Sequence, residues 1–168
     1  MTPRISRVLV PTDFSAASDE ALEYARTLAE GFDASLYLLH VVEDFSLNGG
    51  LISESYLGVS PEARATAVAD ARERLAHRIT RRDRELLHAR SEIIVGATAD
   101  TIADYAESLR IDLIVMGTHG RTGFAHILIG SVAETVVRTA PCPVLTVHAR
   151  AVGHDDALVG HAEAVPGE

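Results

Sequence analysis

Two stretches of the 168-residue chain carry residue types able to hold a phosphorylated ligand. In the first, Gly117 is followed three positions later by Gly120, and ten positions after that come Gly130 and Ser131. Glycine lets a backbone take up positive φ and approach a phosphate oxygen closely. Successive N–H groups in such a turn form an anion-binding concavity. A helix opening at Ser131 would add free N–H groups and a favourable dipole end. Ser131 offers a hydroxyl to a terminal phosphate or its metal, Arg121 is the cation beside the turn, and His119 can donate if it faces inward. Glycines after strands also make ordinary tight turns, so the spacing alone leaves open two turns that hold nothing. The spacing is not that of a Walker A loop, because no Lys-Ser/Thr follows. Nor is it the dinucleotide fingerprint, which follows a first strand rather than a fourth. The second stretch is Pro11-Thr12-Asp13, where Asp13 could contact a ligand or cap the next helix.

Near the N-terminus, residues 5–10 are a short apolar, β-branched run, the signal of a buried strand. Ser15 or Ser18 is the candidate N-cap of a helix in which Ala21, Leu22, Ala25, Leu28 and Ala29 recur at helical spacing, with Gly31 as its stop. Residues 34–42 form a second strand with little alternation, as expected for a strand covered on both faces. Residues 43–60, holding Asn48-Gly49-Gly50, read as a long loop. Pro61 suits the first turn of a helix running to about Leu87. Residues 91–95 form a third strand. Asp100 is a candidate cap for a helix with Ile102, Ala106 and Leu109 on one face. Residues 112–116 are a fourth strand, 131–139 a helix and 144–147 a fifth strand. Alternating strands and helices predict an α/β fold with a five-stranded parallel sheet and helices on both faces. With right-handed crossovers the most economical form is doubly wound, of order 3-2-1-4-5. The loops leaving strands 1 and 4 then diverge and open a crevice at their carboxyl ends. These loops are the two stretches named above.

Composition narrows the function classes. The length suits one domain, expected over residues 1–148, followed by a polar, acidic tail over 149–168 expected to be disordered. His154 and His161 in that tail do not make a metal-ligand set. Apolar runs such as 36–42 fall well short of the roughly 20 residues of a membrane helix. The N-terminus lacks an apolar signal segment, so the expectation is a cytoplasmic protein with no membrane partner. A net charge of -9 argues against a nucleic-acid partner. The basic run from Arg72 to Arg84 is interleaved with Glu73 and Asp83, and reads as a solvated helix face with internal ion pairs. All 15 basic residues are arginine, which excludes a P-loop, Schiff-base or general-base lysine. The one cysteine, Cys142, rules out an internal disulfide and reads as a small residue packed at a strand start. His40 reads as a packed histidine within strand 2, and His126 as a surface residue.

The pattern Gly117-x2-Gly120-x9-Gly130-Ser131 resembles the ATP-binding signature of the universal stress protein family. The opening strand and turn (Val8-Leu9-Val10-Pro11-Thr12-Asp13-Phe14-Ser15), the fourth strand through Arg121, and the closing Pro141-Cys142-Pro143-Val144-Leu145-Thr146-Val147 resemble that family too, over about residues 4–148. The resemblance implies ATP as ligand, with or without Mg²⁺. It implies that Pro11, Thr12 and Asp13 line the adenine and ribose end, that Val41 touches adenine, and that Met116 and Gly117 lie beside the ribose. It places Gly120, Arg121, Gly130, Ser131 and Val132 around the phosphates. The family holds members with and without the glycines, and this chain has the full set.

Three functions stay open on the sequence. The first is a regulatory module that binds ATP, hydrolyses it slowly at most, and signals to an unidentified protein partner. The second is an ATPase or phosphoryl-transfer enzyme, against which stands the lack of an obvious general base. The third is a dimeric interaction protein with a vestigial site. The segment Val144–Val147 would be a sheet edge, short, β-branched and uncharged, and such an edge templates pairing with another chain. A homodimer through it is expected, as the resemblance also implies; the alternative is a monomer whose edge the acidic tail blunts.

Overall fold

A computed structural model describes residues 4–43, 61–118 and 129–148. Its strands are β1 (Arg7–Pro11), β2 (Ser35–Glu43), β3 (Arg90–Gly96), β4 (Leu113–Gly117) and β5 (Val144–Val147). Its helices are α1 (Ala16–Phe32), α2 (Pro61–Arg78), α3 (Arg81–Leu86), α4 (Thr98–Ser108) and α5 (Ser131–Thr139). The sheet has the order β3-β2-β1-β4-β5, and every pairing is parallel. The expected doubly wound architecture is therefore observed. The central strands β1 and β4 and the first half of β2 are largely apolar because both faces are covered. Val8, Val10, Leu36, Leu38 and Val115 pack on one face with Ala21, Ala25 and Ala29 of α1 and Leu75 of α2. Leu9, Leu39, Ile114 and Met116 pack on the other with Ile102 and Ala106 of α4 and Val136 of α5. Leu9, Leu36, Leu38, Leu39 and Ile114 are essentially inaccessible, and each burial contributes about 2 kcal/mol.

Several local expectations are corrected. The helix opening at Pro61 ends at Arg78, and a separate short helix starts at Arg81. The break comes from a capping box. The Thr80 hydroxyl accepts the Asp83 N–H at 3.1 Å, while the Asp83 carboxylate accepts the Thr80 N–H at 2.8 Å, which terminates one helix and nucleates the next. Helix α1 runs past Gly31 and closes on Asp33, which takes the left-handed conformation usual at this position, φ 54°. Asp100 lies inside the first turn of α4, whose cap is Ala97.

The basic run does not pair mainly within its own helix. Arg81 does pair with Glu85. Arg78, however, reaches Asp19 of α1 through two bonds of 2.7 and 3.1 Å. Asp83 is buried and receives Arg26 of α1 through two bonds of 3.0 and 2.8 Å. Arg26 also donates to the Arg78 carbonyl at 2.6 Å. These forks tie α2 and α3 to α1, with the geometry that only a planar guanidinium provides.

Strand β5 is one edge of the sheet, β3 being the other. The carbonyls of Pro143 and Val147 accept N–H groups from Ile114 and Thr118. Residues of a strand point alternately to opposite neighbours, so 143, 145 and 147 face β4. The N–H groups of Val144 and Thr146 consequently face away from β4, where no strand pairs among the described residues. Leu145 is exposed and Val144 half-buried. No helix among the described residues is long and apolar enough to cross a membrane.

Candidate functional site

Winding reverses between β1 and β4, which are paired with Val8 opposite Leu113 and Leu9 opposite Ile114. Their carboxyl ends bring Pro11-Thr12-Asp13 beside Met116-Gly117-Thr118. The first loop is built by short side chains folding back on the backbone. The Thr12 N–H continues the sheet ladder to the Leu39 carbonyl at 2.8 Å. The Thr12 hydroxyl accepts the Phe14 N–H at 3.0 Å. It lies 3.0 Å from the Ser18 hydroxyl, whose own proton goes to the Ser15 carbonyl, so Thr12 is the donor there. One Asp13 carboxylate oxygen accepts the Ser15 N–H at 3.0 Å and the Ser15 hydroxyl at 2.6 Å. Burial alone would push the Asp13 carboxyl up; the bonds from Ser15, with a smaller contribution from Ser18, outweigh it and hold it below its ordinary value. Ser15 is the N-cap of α1, accepting the Ser18 N–H at 3.3 Å. Asp13 therefore fixes the cap instead of capping the helix itself.

The second loop leaves β4 at Thr118, which is buried. The Thr118 N–H donates to the Val147 carbonyl at 2.9 Å, and the Gly130 N–H donates to the Thr118 carbonyl at 2.6 Å. The second bond holds Thr118 and Gly130 together beside the start of α5. The Thr118 hydroxyl also lies 2.9 Å from Nδ1 of His148. Gly117 has a packing reason to be glycine: a Cβ there would lie 2.8 Å from the carbonyl carbon and the Cβ of Ala17. The close approach is to α1, which the sequence could not reveal. Gly130 is different. It is the N-cap of α5 at φ −74°, ψ 156°, a conformation open to any residue, so freedom of angle is not what selects glycine there. Ser15 and Thr80 occupy the same basin, φ −81°, ψ 164° and φ −74°, ψ 166°, and both cap with their hydroxyls. At Gly130 the backbone is set for capping and there is no side chain to do it. Ala97 of α4 likewise supplies no side-chain bond.

The described site residues thus share the carboxyl edge of the sheet. Pro11 and Thr12 are buried and Asp13 half-buried. Val41 is half-buried at the end of β2, Met116 is buried, Gly117 and Gly130 are half-buried, and Ser131 and Val132 are exposed at the mouth of α5. Gly120, Arg121, His119 and His126 lie outside the described residues, as does the 149–168 tail. His40 is more than a packed side chain: its Nδ1 donates to the Thr12 carbonyl at 2.7 Å. Nothing in the sequence spacing signalled that contact, nor the part played by Thr118. Among the described residues no group of three or more acidic, histidine or cysteine side chains could hold a metal. A separate groove between α4 and the end of α5 is lined by Asp100, Asp104 and Glu107, and those carboxylates would repel a polyphosphate.

The family model of the universal stress proteins matches residues 4–148. The chain is 37% identical to the universal stress protein MJ0531 of Methanocaldococcus jannaschii over 142 residues, 84% of this chain and 81% of that protein. The solved structure of the universal stress protein UspA from Lactobacillus plantarum superimposes with a TM-score of 0.74 at 30% identity, covering 87% of this chain and 99% of the other. A universal stress protein solved in complex with cAMP superimposes with a TM-score of 0.57 at 25% identity, covering 88% and 99%.

Proposed function

The chain belongs to the universal stress protein family, and from that premise we propose that it is a regulatory module that binds ATP at the β1/β4 switch point. Pro11, Thr12, Asp13 and Val41 form the nucleoside end, with Met116 and Gly117 beside the ribose. Gly120, Arg121, Gly130, Ser131 and Val132 surround the phosphates. The observation that carries this assignment is the α5 terminus. Its N-cap holds the capping conformation without a capping side chain, which leaves the first-turn N–H groups to an anion. A family member in complex with cAMP supports an adenine nucleotide as the ligand class. Mg²⁺ would arrive with the phosphates and find the Ser131 hydroxyl. The Asp13 carboxylate is engaged by Ser15 and sits at the nucleoside end, so no general base is assigned and hydrolysis is slow at most.

The module acts as a homodimer. The open N–H groups of Val144 and Thr146 and the exposed Leu145 of β5 support an antiparallel, isologous pairing of that edge with its copy. The test of the ligand is direct. Protein purified without added nucleotide is denatured by heat and the released small molecules are identified by mass spectrometry. An adenine nucleotide near one per chain is expected. A chain that carries none, and gains none on incubation with ATP, overturns the assignment.

A further inference from the structure

Phe14 stands at φ 66°, in the left-handed region that a bulky aromatic residue rarely enters and that persists only where the surroundings hold it. Here they do. The His40 ring packs on the Phe14 ring at 4.3 Å between centroids, tilted by 32°. The Arg74 and Arg78 guanidinium carbons lie 4.1 and 4.8 Å from the Phe14 ring centroid, at cation–π distance. Arg78 is itself locked to Asp19 of α1. Thr12, two residues before this strained residue, is held by β2 through both its backbone groups: the Leu39 carbonyl takes its N–H at 2.8 Å and His40 Nδ1 donates to its carbonyl at 2.7 Å. A carbonyl only accepts, so Nδ1 carries the proton. His40 is the residue before Val41, on the strand that forms the far wall of the nucleoside end.

We infer that His40 is a positioning residue for the nucleoside half of the nucleotide site, fixing the Thr12–Asp13 loop against β2 through its Nδ1–H. The inference rests on the site proposed above. Packing alone would give the ring of His40 a role in the core and no role for its nitrogen. A nitrogen that holds Thr12 in place acts on adenosine binding and leaves the distant phosphate end, built from β4 and α5, untouched.

Calorimetric titrations of ATP and of inorganic tripolyphosphate into wild type, His40→Phe and His40→Asn separate the cases. Phe keeps the ring and loses the donor; Asn places an amide nitrogen near the position of Nδ1 and loses the ring. Loss of one net hydrogen bond's worth of order predicts roughly tenfold weaker ATP binding in His40→Phe. Tripolyphosphate affinity should be unchanged, and His40→Asn should stay near wild type. Should His40→Phe fail to fold, His40→Ala removes donor and ring without added bulk and is expected to weaken ATP alone in the same way. Equal ATP affinity in all variants overturns the inference, as does His40→Asn failing together with His40→Phe, or ATP and tripolyphosphate weakening in parallel. A wild type that binds ATP not at all sinks the site itself, a result distinct from these.

Discussion

Gly130→Ser should raise stability slightly and lower nucleotide affinity, two effects of opposite sign from one hydroxyl. Gly130 already has the backbone angles of the chain's own caps, Ser15 and Thr80. A serine there can accept an N–H from Val132 or Ala133 without moving the chain. At N-cap positions serine exceeds glycine by a few tenths of a kcal/mol, which raises Tm by about 1 °C at most in a domain of this size. The same hydroxyl occupies a donor that a phosphate oxygen would otherwise use. A hydrogen bond to a charged group contributes about 1.5–3 kcal/mol, so ATP should bind about ten- to a hundredfold more weakly. Thermal unfolding without ligand and calorimetric titration of ATP read the two effects separately. Undiminished ATP affinity in a variant whose melt is unchanged or raised would refute the claim that the α5 N–H groups hold phosphate.

Gly117→Ala is the contrasting control. Its Cβ meets Ala17 at 2.8 Å, twice, and at 3.0 Å, and overpacking of this kind costs about 1–3 kcal/mol. The ligand-free Tm should fall by about 3–10 °C, and an unchanged melt would show that α1 gives way freely. Proline in β5 should act by position. Leu145→Pro removes an N–H that faces β4 and should damage the fold, whereas Thr146→Pro should give a folded monomer by light scattering; the reverse pattern would contradict the proposed dimer edge. Acid stability carries a signature of Asp83. Burial raises its carboxyl, but the Arg26 fork and the Thr80 bonds outweigh it and the net shift is downward. A carboxylate lowered in the folded state stabilises above its unfolded value and loses that contribution as pH falls through the folded one. Wild type should therefore weaken below roughly pH 4, and Asp83→Asn, less stable at neutral pH, should show a flatter acid limb in pH-dependent denaturant titrations; parallel limbs would remove Asp83 from the account.

The sheet order was legible because each strand is a short apolar run bounded by turn residues, and because right-handed crossovers leave few topologies. Helix α5 and strand β5 fall on the residues expected. Most of what the sequence hid was long-range, with one local exception. The Thr80-x-x-Asp83 box is a local signal that lies inside the single helix expected from Pro61 to about Leu87. The forks from Arg26 to Asp83 and from Arg78 to Asp19 join residues more than fifty positions apart, so a helix-local count of charges assigned the basic run to itself. The glycine pattern identified a candidate site but not the reason for each glycine. Gly117 answers to Ala17, and Gly130 to an uncapped helix terminus. His40 and Thr118 act through backbone carbonyls and N–H groups, contacts that leave no mark on residue spacing.

The proposed site for adenosine triphosphate lies in the β1/β4 crevice. Calorimetric titration of nucleotide-free protein with ATP, ADP, AMP and GTP, with and without Mg²⁺, tests it most directly. One ATP per chain is expected, with affinity falling from ATP to AMP as phosphates facing α5 are removed, and weaker binding of GTP. Absence of binding heat for ATP at any accessible concentration, or affinity indifferent to both base and phosphate number, would contradict it.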